Sequence, residues 1–181
     1  DSPPPPALMM PGSSLKKEDT VFSEQDVAEH LFELTFDITG AATEDACRIT
    51  LDHLANFVSC DDMCVWQGTL NDEQIHVVAG RGELGRSLLG HAADYDVGIV
   101  GRCHHSSMLM LVRELDPDRL AHLPNTAHPR VKGVLCIPVV NADGWTFGVI
   151  ELFNPPDIDT STFDVVSALA KTLGESLARS I

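Results

Sequence analysis

Positive charge is scarce in this chain. Twelve lysines and arginines stand against 27 aspartates and glutamates among 181 residues, leaving a net charge of −15 at pH 7. Such a field repels phosphate backbones and anionic lipid surfaces, so neither nucleic acid nor a membrane is the expected partner. No apolar run approaches the roughly 20 residues that a membrane-spanning helix needs. Residues 1 to 20 also lack the basic-then-apolar layout of a secretion signal. An even set of cysteines is missing too: Cys47, Cys60, Cys64, Cys103 and Cys136 are five, and three of them lie within apolar patterns. Buried free thiols, and hence a cytoplasmic location, are the simplest expectation. No internal repeat is visible. The chain starts at Asp1 rather than Met, and we expect a soluble piece of a longer polypeptide.

What is present suits one globular domain with a tail, at 44% hydrophobic and 22% charged residues. Residues 1 to 20, with Pro3 to Pro6, Pro11 and Gly12, form an expected flexible leader, and residues 21 to 181 the domain. Ser23 and Asp26 resemble a capping box, after which Val27, Leu31, Leu34 and Ile38 recur at helical spacing up to Gly40. Thr43 is the expected cap of a second helix with Ala46, Ile49, His53 or Leu54, and Phe57 inward, ending near Ser59. Met63 to Leu70 and Gln74 to Ala79 form a hairpin. Gly80, Gly82 and Gly85 break the pattern before an edge strand within residues 88 to 97. Gly98 to Gly101 open a short helix to about Met108, and Leu109 to Val112 make the next strand. Residues 114 to 131, interrupted by Pro117, Pro124 and Pro129, form a long ordered loop with a helical hint at Arg119 to Leu123. Such a loop suits a ligand lid.

The most informative stretch is Lys132 to Asn154. Two apolar runs flank Asn141-Ala142-Asp143-Gly144, where a type I turn can be followed by a left-handed glycine. A last helix, Thr160 to Ile181, carries Phe163, Val166, Ala170, Leu173 and Leu177 at steps of three and four. That seam suits packing on the domain's own sheet or pairing with a second copy, and Val165 and Leu169 offer another apolar face.

Taken together, Gly98-Ile99-Val100-Gly101, Leu109 to Val112, Val134 to Val139 and Phe147 to Asn154 resemble the GAF domain, in an order that spans about residues 24 to 179. The resemblance implies an α+β fold: a six-stranded antiparallel sheet, terminal helices on one face, and a ligand pocket under a loop on the other. The final hairpin is most similar to the regulatory GAF domains of cyclic-nucleotide phosphodiesterases. Asn154 matches the first residue of their dispersed Asn-Lys-Phe-Asp-Glu signature, Pro155 stands in the Lys position, and no Asp-Glu pair is recognisable near Thr162 to Asp164.

This likeness implies a regulatory small-molecule sensor with a cyclic nucleotide as the first ligand to expect. Its pocket would hold Ile99, Val100, Cys103, Asn125 and Thr126, and Gly98 to Gly101 would open a helix toward the phosphate. It also implies a homodimer through the terminal helices and an effector domain in the same polypeptide. Two alternatives stay open: a ligand-free GAF dimerisation module, and a free methionine sulfoxide reductase. The reductases need low-pKa cysteines around the pocket, and Val100 and Ala127 stand where two would fall, so no enzyme is expected.

Other residues invite plainer readings. Cys103-His104-His105 cannot converge on one ion from a regular helix, where successive side chains diverge by about 100°, and neither a metal site nor bilin attachment is expected there. Cys60 and Cys64 lack a zinc-knuckle gap. Glu151 interrupts an apolar strand and should be paired or face water. Trp66 and Trp145 could stack on a ligand ring, with Trp145 expected packed or partly exposed. His122 and His128 are expected to be solvated lid residues.

Overall fold

The computed structural model describes residues 22–68 and 72–179, so the expected leader lies outside the described residues, as does the turn near Asn71. Helix α1, Glu24–Ile38, starts where Ser23 Oγ accepts from the Asp26 amide at 3.0 Å. Helix α2, Thr43–Leu54, is capped one residue earlier than the sequence suggests, at Ala42, which contributes no side-chain bond. Strands β1, Asp62–Gln67, and β2, Gln74–Arg81, form the first hairpin.

The glycine break holds a short helix that the sequence does not announce, α3, Gly82–Ser87. It lies so close to the sheet that a Cβ on Gly85 would sit 2.2 Å from the Met63 carbonyl oxygen. Asp62 Oδ1 accepts from the Leu84 amide at 2.9 Å at its start. These glycines serve contact as well as turning.

Strand β3 is Ala92–Asp94, helix α4 is Gly98–Ser106, and strand β4 is Met110–Val112. The lid loop follows. Its one helical segment is a 3-10 turn at Asn125–Arg130, after Pro124, rather than at Arg119 to Leu123. Proline fixes the dihedral at the turn's entry, a stronger constraint than the weak propensity upstream. Strands β5, Val134–Val140, and β6, Thr146–Phe153, form the last hairpin, and helix α5, Thr160–Arg179, closes the domain. In the hairpin turn Gly144 has φ of +88°, as the sequence requires, and Asn141 Oδ1 accepts from the Asp143 and Trp145 amides.

The sheet has six antiparallel strands in the order β3-β2-β1-β6-β5-β4. Successive strand side chains point to opposite faces. Accordingly Met63, Val65, Leu135, Ile137, Ile150 and Leu152 meet α1, α2 and α5 in one core, while Cys64, Trp66, Val134, Cys136, Val149 and Phe153 face α4 and the lid in a second. Val166, Ala170, Leu173 and Leu177 of α5, together with Val165 and Leu169, are consumed inside the first core. Each fully buried valine or leucine among them stabilises by about 1.5–3 kcal/mol. The seam therefore serves the domain's own sheet, and the outward positions Asp164, Ser167 and Lys171 are polar.

Candidate functional site

Between sheet and lid, protein side chains occupy the centre. Cys64, Glu151 and Cys136 lie side by side across β1, β6 and β5. Glu151 is fully buried. Its Oε1 accepts from Trp66 Nε1 at 2.9 Å, and its Oε2 lies 2.8 Å from Nε2 of His122, which descends from the lid. Both side-chain oxygens are engaged, as those of a polar group buried on this face must be.

His122 departs from the expectation of a solvated lid histidine: it has no exposed surface and packs edge-on against Trp66 at 5.5 Å. His91 Nε2 reaches the His122 backbone oxygen at 3.1 Å, and a Cβ on Gly98 would lie 2.3 Å from His122 Nδ1. Only a glycine there lets the lid come down. His128, also expected in solvent, is half-buried and bonded to the Leu120 oxygen at 2.9 Å. A lone histidine in a polar loop carries no sequence mark of burial; its partner Glu151, a carboxylate inside an apolar strand, was the available signal.

Ile99, Val100 and Cys103 from α4 are buried in the lid-side core with Ala127. Asn125 and Thr126, in the 3-10 turn, are exposed. The structure thus brings together three of the five residues named from sequence and leaves the two polar ones on the outside of the lid. His104 is buried, with Nε2 2.6 Å from the Gly68 oxygen, whereas His105 is exposed, so this triplet diverges. Trp66 is enclosed and its N–H is engaged by Glu151, while Trp145 is 58% exposed.

All five cysteines are free and buried. Burial pushes the thiol pKa of Cys103 up to about 12, helped by the Glu151 charge. Burial likewise pushes Cys47 to about 12 and Cys60 to about 11. Cys64 and Cys136 are raised well above the ordinary range by burial and then by Glu151. Thiols that resist ionisation are poor nucleophiles. Ellman's reagent at about pH 8 is therefore expected to label the native protein only at the unfolding rate, and all five cysteines after denaturation. Because native values exceed the unfolded reference of 9.0, the native state keeps protons that the unfolded chain releases. The stabilisation is complete below about pH 9 and falls as pH rises toward 11 to 12. Denaturation midpoints at about pH 8 and about pH 10.5 should show this fall, reduced in Cys103→Ala.

Asn154, the residue that carried the phosphodiesterase likeness, has a structural task. With φ of +54°, it ends β6 and folds back on the lid. Its Oδ1 accepts from the Lys132 and Gly133 amides at 2.6 and 3.3 Å, and its Nδ2 donates to the Arg130 oxygen at 2.8 Å. Beyond it the Arg113 guanidinium donates to the carbonyls of Pro155 and Pro156.

An antiparallel sheet with helices α1, α2 and α5 on one face and α4 with the lid on the other makes an α+β domain. The GAF domain family model matches residues 42–177, and the chain belongs to that family. Solved structures with the same fold include the GAF domain of an Acinetobacter phosphoenolpyruvate-protein phosphotransferase. That one is 18% identical over 88% of this chain and 96% of its own, with a TM-score of 0.70. The GAF domain of a sensor histidine kinase described as putative, from Pseudomonas syringae pv. tomato, is 17% identical over 92% and 93%, with a TM-score of 0.58. The chromophore-binding domain of a bacteriophytochrome from R. palustris is 16% identical over 87% of this chain and 63% of its own, with a TM-score of 0.64. No curated protein matches the chain by sequence. Among the described residues no helix is long and apolar enough to cross a membrane.

Proposed function

We propose that this chain is a non-catalytic regulatory GAF module of a larger cytoplasmic signalling protein, working by contact through its helices with the lid side closed. The observation that carries this reading is the packing of that side by Trp66, His122, Glu151, Cys103 and their apolar neighbours, where a ligand would otherwise lie. An effector domain in the same polypeptide would receive the signal. Helix α1 supplies the contact face for a second copy, since Phe32 and Phe36, one turn apart, are 74% and 76% exposed. Large apolar side chains repeated on one outward helix face suit burial against an equivalent helix.

A second reading keeps a small-molecule ligand, a cyclic nucleotide first, in the same place. It is favoured by the Nδ1 atoms of His104 and His122, which are shielded and have no hydrogen-bond partner. Buried polar atoms are rarely left so. The lid would lift to admit the ligand, with Ile99, Val100 and Cys103 beneath it and Asn125 and Thr126 turning inward.

One pair of measurements separates the two. The module reading expects no heat and no thermal shift with cyclic AMP or cyclic GMP, and a sedimenting dimer that Phe32→Ser/Phe36→Ser converts to monomer. Saturable nucleotide binding establishes the second reading, and a wild-type monomer at all concentrations sinks the dimer.

A further inference from the structure

Away from the lid, the pairing of α1 with α2 gathers His30, Glu33 and His53. One ligand atom from each lies within 4.8 Å of the other two. His30 and Glu33 are three residues apart and Asp37 four further on, so all three share one stripe of α1. His53 comes across from the last turn of α2. Asp37 Oδ2 holds His53 Nε2 at 3.2 Å. The two imidazoles approach with centroids 6.0 Å apart, and His30 rests edge-on against Phe57 at 4.8 Å.

Two facts set this cluster apart from an ordinary surface ion pair. Nδ1 of His30 and Nδ1 of His53 are both shielded from solvent and without a hydrogen-bond partner, since the Glu33 carboxylate stands 3.9 Å from His30 Nδ1. Carboxylate support on the far nitrogen of a histidine is also how metal-bound imidazoles are commonly oriented. We propose that His30, Glu33 and His53 bind a zinc-type divalent transition-metal ion, with Asp37 as the residue that positions His53.

The donor set selects the metal. Two imidazoles and one carboxylate suit zinc and its first-row neighbours, with water completing the tetrahedron, whereas calcium and magnesium demand oxygen ligands. Ligand atoms around tetrahedral zinc lie roughly 3.3 Å apart, given bonds of about 2.0–2.1 Å. The cluster therefore has to tighten by at most about 1.5 Å. Glu33, whose side chain is 62% exposed, has the freedom to swing in. No thiol competes, because all five are buried. Bound metal would clamp α1 to α2, cross-linking the helix that carries Phe32 and Phe36. The site is independent of what occupies the lid side.

The test uses the whole chain, stripped with EDTA and titrated with zinc by calorimetry and with cobalt by absorption. One equivalent per chain is expected, with a raised thermal midpoint and a cobalt spectrum free of thiolate charge-transfer bands. His53→Ala should abolish binding, and Glu33→Gln, an exposed change that leaves folding intact, should weaken it at least about tenfold. Asp37→Asn should cost about 10- to 100-fold in affinity. His76→Ala, at an exposed histidine of β2 opposite Ala92, should change nothing. No saturable zinc binding overturns the proposal. So does binding that survives Glu33→Gln and His53→Ala, that disappears in His76→Ala, or that shows thiolate bands.

Discussion

Glu151→Ala is expected to lower the unfolding free energy by about 3–5 kcal/mol, the loss typical when one member of a buried pair is removed. The carboxylate has no exposed surface, and it accepts from Trp66 while facing His122 Nε2 at 2.8 Å. Its removal strands an indole N–H and an imidazole nitrogen among Val149, Phe153 and Cys136. Glu151→Gln should lose less, since an amide oxygen can still accept from Trp66 and its NH2 can face His122. Replacing His122 by Leu as well should not rescue Glu151→Ala, because Trp66 remains without an acceptor. Urea denaturation midpoints at constant slope give the comparison. A Glu151→Ala protein within about 1 kcal/mol of the parent would mean that the lid is held by its apolar contacts alone.

Gly174→Ala carries the second large effect, and two opposing terms decide its sign. Alanine improves helix propensity over glycine by about 1 kcal/mol. Against this, a Cβ on Gly174 would stand 2.3 Å from the Val140 carbonyl oxygen and 2.7 Å from its carbon, both backbone atoms of β5 that cannot rotate aside. Overpacking of this kind costs about 1–3 kcal/mol and sometimes more. All three nearest atoms belong to the Val140 backbone, so the upper end applies, and a net loss of about 2 kcal/mol is expected. Ser167→Ala, exposed on the same helix, should move the midpoint little. A stabilised Gly174→Ala protein would show that α5 can lift from the sheet without loss.

Much of the fold was readable because periodicity reports burial. The steps of three and four in α1 and α5 mark inward faces whatever the partner, and the unbroken apolar runs of β5 and β6 mark strands covered on both faces. Where a contact across the fold decides the conformation, the sequence is silent. Gly80, Gly82 and Gly85 look like breakers, and only the proximity of Met63 shows that small residues there let α3 press against β1. The seam of α5 was legible as a seam, but two surfaces compete for it, and amphipathicity cannot name the winner. At the candidate site, Ile99, Val100 and Cys103 follow a helix opening that local residues specify. Asn125 and Thr126 depend on how Pro124 and Pro129 turn the lid. The pairing of His122 with Glu151 spans 29 residues and that of His30 with His53 spans 23, distances over which no spacing rule operates.

Strand β6 has a mechanical consequence. Glu151 looks toward the lid while its covalent neighbours Ile150 and Leu152 are embedded among the helices on the other side. The strand is therefore a party wall, one peptide unit thick, shared by two rooms. A shift of the lid that tugs on the carboxylate reaches the helical layer without any intervening element, across the width of a single strand.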